Sequence, residues 1–325
     1  MRKIILVIVI VTILSSAMPA MAAQWKIRFG HDQTEQSPHQ EAAIYLKNLI
    51  EKGSNGDIEV TIYPNQLLGS GTQMVEMVQA GAVEMIAVPT AKIQAVAPHF
   101  QILDLPFLFP TKQALYDELY ADFGRALYKP LEEKNIFGLS YWGMGFKQLT
   151  GNFKINEPAD FKGKKIRVMP SPVIREQFLA LGASPVPIDF HELYNALQLG
   201  VVDGQENPLV GICTMKLYEV QKYMTLSNHA FLAYGVVVNK PFYDSLPAKY
   251  QQLLTDAAAQ SATFQLDLIE KRDKGFQDTI AKAGVEIHSL TPEQTSAFQN
   301  ALHPVYGWFR THVKDGSRYL DMLNK

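Results

Sequence analysis

Arg167 sits in the short apolar run Ile166-Arg167-Val168-Met169-Pro170, and forty positions on Asn207 closes the run Asp203-Gly204-Gln205-Glu206-Asn207 ahead of Pro208. A guanidinium offers a planar donor fork that matches a carboxylate through two parallel, charge-assisted hydrogen bonds. Each such bond contributes about 1.5–3 kcal/mol. A carboxamide carries a donor and an acceptor, so Asn207 can take the carboxylate's second oxygen or read a neighbouring hydroxyl. The competing reading pairs Arg167 inside the protein, with Asp203 or Glu206.

Other reactive constellations fail on spacing. The chain has no Gly-x-Ser-x-Gly elbow, no Gly-x-x-x-x-Gly-Lys phosphate loop and no Cys-x-x-Cys pair. His191-Glu192-Leu193-Tyr194-Asn195 opens like a zinc-protease helix, but Asn195 stands where the second imidazole is required, so it reads as a helix start outside the cleft. Gly143-Met144-Gly145 has Gln148 in place of the third glycine of a dinucleotide turn. Asp203 and Glu206 could be an acid–base pair, yet Gly204 between them reads as a turn. Cys213, the single cysteine, reads as a buried apolar residue on the helix after Pro208 rather than a nucleophile served by His191 or His229. No enzyme is expected, and neither a cofactor nor a metal is indicated.

The elements that must position Arg167 and Asn207 alternate between strand and amphipathic helix. Trp25 to Phe29, Ile58 to Tyr63, Met85 to Pro89 and Ile136 to Trp142 read as strands, and helices are expected near Pro38 to Lys52 and Gln73 to Ala80. Ala42, Ala43, Leu46, Leu49 and Ile50 recur at helical spacing, and Gly81 reads as a C-cap. This rhythm predicts an α/β fold with a mostly parallel sheet. Gly143-Met144-Gly145 reads as a flexible crossover into a second lobe, and Ala233 to Asn239 as a strand returning to the first. The helical pattern from Pro247 to Ala283 would run to roughly 55 Å, so it either breaks near Gly275 or lies across both lobes. Pro292 to Val313 is expected to be one closing helix.

Four words in fixed order carry a family resemblance: Phe161 to Val168, Leu181 to Pro187, Leu193 to Gln198, and Val202 to Pro208. Tyr218 to Lys222 and Ser227-Asn228-His229 extend it. The chain resembles the solute-binding proteins of TRAP transporters, of the DctP type, over essentially all its length after the leader. The resemblance implies a two-lobe periplasmic-binding-protein fold with hinge strands and a long helix spanning both lobes. It implies that Arg167 anchors a ligand carboxylate, that Asn207 completes the clamp, that Lys147 is a second cation and that Phe190 packs on the ligand. It also implies delivery to a membrane permease of two subunits. From the first lobe, His31, Asp32, Pro89 and Thr90 follow strand ends, where open α/β sheets bind ligands. Trp142 is either a pocket wall or a hinge-packing residue.

Arg2 and Lys3 lead the apolar run Ile4 to Val11, followed by Ser15-Ser16 and the small-residue site Ala20-Met21-Ala22. That pattern is a cleavable secretory signal, and it places the chain in the periplasm. The expected division is 1–22 signal peptide, 23–144 plus 233–272 lobe I, and 145–232 plus 273–325 lobe II. Removing the leader leaves 28 basic against 32 acidic residues, a balance that excludes nucleic acid as partner. An anionic protein that binds an anion must focus positive charge inside a cleft, with Arg167 and Lys147 the candidates. A monomer is expected.

Ligand class rests on the resemblance. Dicarboxylate-type relatives carry Trp two positions after the motif asparagine and an Asp-Asn pair before the Gly-x-Lys-Gln turn, where this chain has Leu209 and Gly143-Met144. The favoured ligand is a hydroxy- or sugar-acid monocarboxylate. A C4-dicarboxylate is the alternative, since the turn Gly145-Phe146-Lys147-Gln148 is similar to that of the dicarboxylate-type relatives; Lys147 could serve either class, by pairing with a second carboxylate or by donating to hydroxyls. A sensory organic-acid module and a periplasmic enzyme on organic acids are the rival functions.

Overall fold

The computed structural model describes residues 23–323, so the expected leader lies outside the described residues. Strands β1 (Trp25–His31), β2 (Ile58–Tyr63), β3 (Met85–Pro89), β4 (Ile136–Gly151), β5 (Lys165–Val168), β6 (Ser184–Pro187), β7 (Gly204–Pro208), β8 (Tyr223–Leu226), β9 (Phe231–Asn239) and β10 (Glu286–Ser289) form two joined sheets. In the first, β2, β1 and β3 run parallel, then β9 and β4 add antiparallel. In the second, β6, β5 and β7 run parallel, while β7 and β8 pair antiparallel with the end of β4, and β10 joins β8. The expected parallel sheet is therefore mixed, and the antiparallel members are the strands that cross between lobes.

β4 belongs to both sheets. Ile136 to Phe146 pair with β9, and Lys147 to Gly151 pair with β7. The expected crossover at Gly143-Met144-Gly145 is instead a bulge within one continuous strand: the register shifts between Gly143 and Gly145, and Gly145 adopts φ +108. A residue without Cβ takes that backbone conformation at no steric cost, so the ladder bends without ending. All five residues of β3 and all nine of β9 are buried, as strands covered on both faces must be. The expected turn at Gly204 is also overturned. Gly204 to Pro208 is a fully buried strand flanked by β4 and β5, and ladder pairing on both sides outweighs the weak strand preference of Gln, Glu and Asn.

Side chains cap the first two helices. Ser37 accepts from the Gln40 amide ahead of Pro38–Gly53, and Ser70 with Gln73 forms a capping box for Gly71–Ala80, which ends at Gly81 with φ +73. The helix Ala248–Lys282 runs unbroken through Gly275 for 35 residues, about 52 Å. It packs on Pro38–Gly53, on β4 and on Leu209–Thr214, and so lies across both lobes. The Gln265 amide binds both backbone groups of Gly143, at 3.0 and 2.6 Å, which ties this helix to the bulge. Arg272 grips Glu41 through a fork at 2.6 and 2.9 Å. The expected closing helix is two, Pro292–Leu302 and Pro304–His312, because Pro304 has no amide hydrogen to continue the ladder.

Candidate functional site

Arg167 is the penultimate residue of β5 and is 1% exposed. Its Nε donates to the Ile188 carbonyl at 2.8 Å, while Nη2 is buried with no protein partner. Neither expected internal partner takes it. Asp203 accepts from the Lys165 amide at 2.8 Å, and Glu206 binds Lys147 and His229. Burial pushes the guanidinium down to about 10, against the opposing fields of Asp189, Glu206, Asp32 and Tyr234. Asp32 and Tyr234 belong to β1's end and to β9, so the guanidinium lies at the seam where the two sheets meet.

Asn207 occupies the same sheet face. β5 and β7 pair with Arg167 opposite Gln205, and Asn207 lies two residues on. Its amide donates to Gln205 Oε1, Gln205 donates to Thr150 at 2.8 Å, and Thr150 donates to Gln221 at 2.9 Å. This relay fixes the carboxamide. Gly211 leaves it room, since a Cβ there would stand 3.3 Å from Asn207 Oδ1.

Lys147 faces the other way. Its partner in the ladder is Pro208, and its ammonium is shared by Glu206 at 2.8 Å and Asp104 at 3.2 Å, all three side chains being buried. Burial alone would raise Glu206, yet Lys147 and His229 hold it down to about 2. His229 closes the network, 2.7 Å from Glu206 and 2.7 Å from the Ser227 hydroxyl. The charge of Lys147 is thus consumed within the protein.

The first-lobe residues divide between roles. Asp32 accepts from Lys92 at 3.0 Å, from the Tyr234 hydroxyl at 2.9 Å and from Gln33 at 3.3 Å; burial opposes ionisation, but these partners hold its pKa below the ordinary value. His31 bonds Gln40 at 2.7 Å, and burial lowers its pKa. Thr90 donates to the Ala233 carbonyl at 3.3 Å, and Pro89 precedes the short helix Thr90–Ile93. Trp142 gives its indole N–H to Ser261 of the long helix at 3.2 Å, which suits hinge packing. Phe190 lies in the second-lobe core with Leu193, Leu197 and Ile212. Cys213 is half-buried rather than buried, and burial pushes its thiol up.

Sequence reasoning missed Lys92, Gln33, His39, Asp189 and Tyr234. Lys92 is buried, bound to Asp32 and 4.0 Å from Asp189 across the seam. Gly71 is what admits it, because a Cβ there would stand 2.3 Å from Lys92 Cδ. A lysine inside the apolar stretch Val88 to Ala97 was the available signal.

Two lobes joined by crossing strands, with a desolvated guanidinium at their seam, define a two-lobe solute-binding protein. Residues 29–311 match the family model described as bacterial extracellular solute-binding protein, family 7 (DctP), and the chain belongs to that family, the solute-binding proteins of TRAP transporters. It is 38% identical over 309 residues to a C4-dicarboxylate-binding periplasmic protein DctP of Rhodobacter capsulatus, covering 94% of this chain and 93% of that one. A TRAP solute-binding protein of Desulfovibrio salexigens with bound orotic acid superposes with a TM-score of 0.88 at 34% identity, covering 91% and 96%. One from a Sulfitobacter species with bound β-D-galacturonate gives a TM-score of 0.88 at 26% identity, covering 91% and 98%.

Proposed function

We propose that this chain works in the periplasm, where it captures a small organic acid between its lobes and delivers it to the membrane permease of a TRAP transporter. The observation that carries the reading is Arg167 Nη2, a buried cationic donor without a protein partner. Leaving such a donor unpaired costs about 1–3 kcal/mol or more, so an acid that supplies the missing acceptor favours the closed form. Asn207, on the same sheet face, completes the clamp. The lobes comprise residues 23–144 plus 233–272 and 145–232 plus 273–325, with residues 1–22 as the leader; hinge motion is assigned to the β4 bulge and the adjoining part of β9.

The favoured ligand is a hydroxy- or sugar-acid monocarboxylate. Lys147 is neutralised by two carboxylates and Lys92 by Asp32, so neither lysine is free to meet a second ligand carboxylate. The Sulfitobacter relative with β-D-galacturonate bound supports this reading. A C4-dicarboxylate is the second reading, supported by the Rhodobacter relative. A thermal-shift screen distinguishes them, because a ligand held only by the folded state raises the melting temperature by mass action. Hydroxylated monocarboxylates are expected to raise it, and neutral sugars to leave it unchanged. A response to neutral sugars, or to no acid, would sink the proposal.

A further inference from the structure

Several buried polar atoms lack a protein partner, and two of the residues that carry them, Gln33 and His39, lie against one phenol, that of Tyr234. Arg167 Nη2, Gln33 Oε1 and both ring nitrogens of His39 are in this state; Trp25, Thr34, Gln66 and His191 carry one such atom each. Tyr234 touches Gln33 and His39, and Arg167 acts on it electrostatically. Gln33 Nε2 donates to its hydroxyl at 2.5 Å, the His39 ring lies 4.6 Å from its ring at 51°, and its hydroxyl is within the field of Arg167. His39 and Gln33 are 0% and 1% exposed. A buried polar atom of this kind needs a hydrogen-bonding partner that the fold does not supply.

The chemistry of these atoms is specific. Charges here are already matched, Asp32 with Lys92, and Asp32 also receives the Tyr234 hydroxyl. Asp32 can only accept, so Gln33 must turn its NH2 towards it, which leaves the Gln33 carbonyl oxygen as the free atom. Burial pushes His39 down to about 3, so its ring is neutral and offers one N–H donor and one acceptor. The unmet set is therefore one cationic donor, one neutral donor and two acceptors. An ionised carboxylate satisfies the cationic donor but cannot donate to either acceptor. A hydroxyl can donate and accept at once.

We propose that His39 and Gln33 are specificity residues that read hydroxyl groups of the acid held at Arg167, selecting a polyhydroxylated monocarboxylate over a saturated dicarboxylate or an unsubstituted acid. The proposal rests on Arg167 being the acid anchor. A site built to hydrogen-bond a hydroxyl rejects the analogue that lacks it, because its own buried polar atoms are then left unpaired.

The test measures binding of D-galacturonate, D-galactonate, cyclohexanecarboxylate and succinate to the purified protein, by calorimetry and melting temperature, in the wild type and in His39→Phe. Phenylalanine keeps a ring against Tyr234 and removes both nitrogens. The wild type is expected to bind a hydroxylated acid most tightly, and His39→Phe to lose about tenfold or more of that affinity. Affinity for cyclohexanecarboxylate is expected to change by less than about twofold, and the ligand-free melting temperature not to fall. If His39→Phe does not fold, Gln33→Met carries the same expectation for the hydroxylated acids. A wild type that prefers succinate or cyclohexanecarboxylate, or a variant that keeps full affinity for the hydroxylated acid, overturns this inference alone. A wild type that binds none of these acids overturns the Arg167 reading as well.

Discussion

His39 is fully buried, and burial pushes its imidazole from the ordinary 6.5 down to about 3. The unfolded chain therefore takes up a proton near pH 6.5 that the folded chain refuses until about pH 3. That share of the stability is complete above pH 6.5 and is lost as the pH falls through the window, by up to about 1.4 kcal/mol per pH unit. Burial shifts His31 and His99 in the same direction, which steepens the loss. Urea unfolding at pH 7 and pH 5 should show a lower midpoint at pH 5, and His39→Phe should flatten that difference. An equal difference in both proteins would contradict the assignment. The position of His39 illustrates what was legible at this scale. Arg167 and Asn207 stood out by residue type, spacing and family words, because a guanidinium in an apolar run is unusual and Asn207 closes one of those words. His39 and Gln33 did not, because their burial depends on Tyr234, which approaches from about 200 positions away in the chain. Lys147 carried the expected charge, but its partners Asp104 and Glu206 become neighbours only through the fold.

The long helix Ala248–Lys282 is the element whose pattern carried furthest. Its periodicity and lack of proline predicted its length, but only its contacts with both lobes decide against a break at Gly275. Gly275 sits in the helix interior, and a Cβ added there meets nothing within 4 Å. Gly275→Ala should therefore stabilise the fold by about 0.5–1 kcal/mol, because alanine loses less backbone entropy on entering a helix. A raised denaturant midpoint at unchanged slope is the expected result, and a lowered midpoint would contradict it. The crossing strands were less legible. Glycines at 143 and 145 suggested a flexible crossover, whereas pairing with β9 and the Gln265 amide keep β4 continuous through its bulge. β7 was hidden for a related reason, since its polar residues gain strand geometry only from neighbours on both sides.

At the scale of the whole molecule, ligand capture and lobe closure are one equilibrium. Groups from both lobes converge on the seam: Asp32, Lys92 and Tyr234 from one side, Arg167 and Asp189 from the other, with Lys92 reaching to 4.0 Å of Asp189. Gln94 already spans the gap to the Pro170 carbonyl at 3.0 Å. A ligand shifts such an equilibrium only by binding the closed form better than the open one, and a carboxylate on a desolvated guanidinium does so. Replacing the fork by a point charge removes the bidentate match while keeping the charge, which isolates the geometry of the grip. The decisive measurement is a calorimetric titration of the acid that gives the largest thermal shift, against the wild type and Arg167→Lys. The affinity is predicted to fall by about tenfold or more in the variant, and equal affinity in the two proteins would contradict the account.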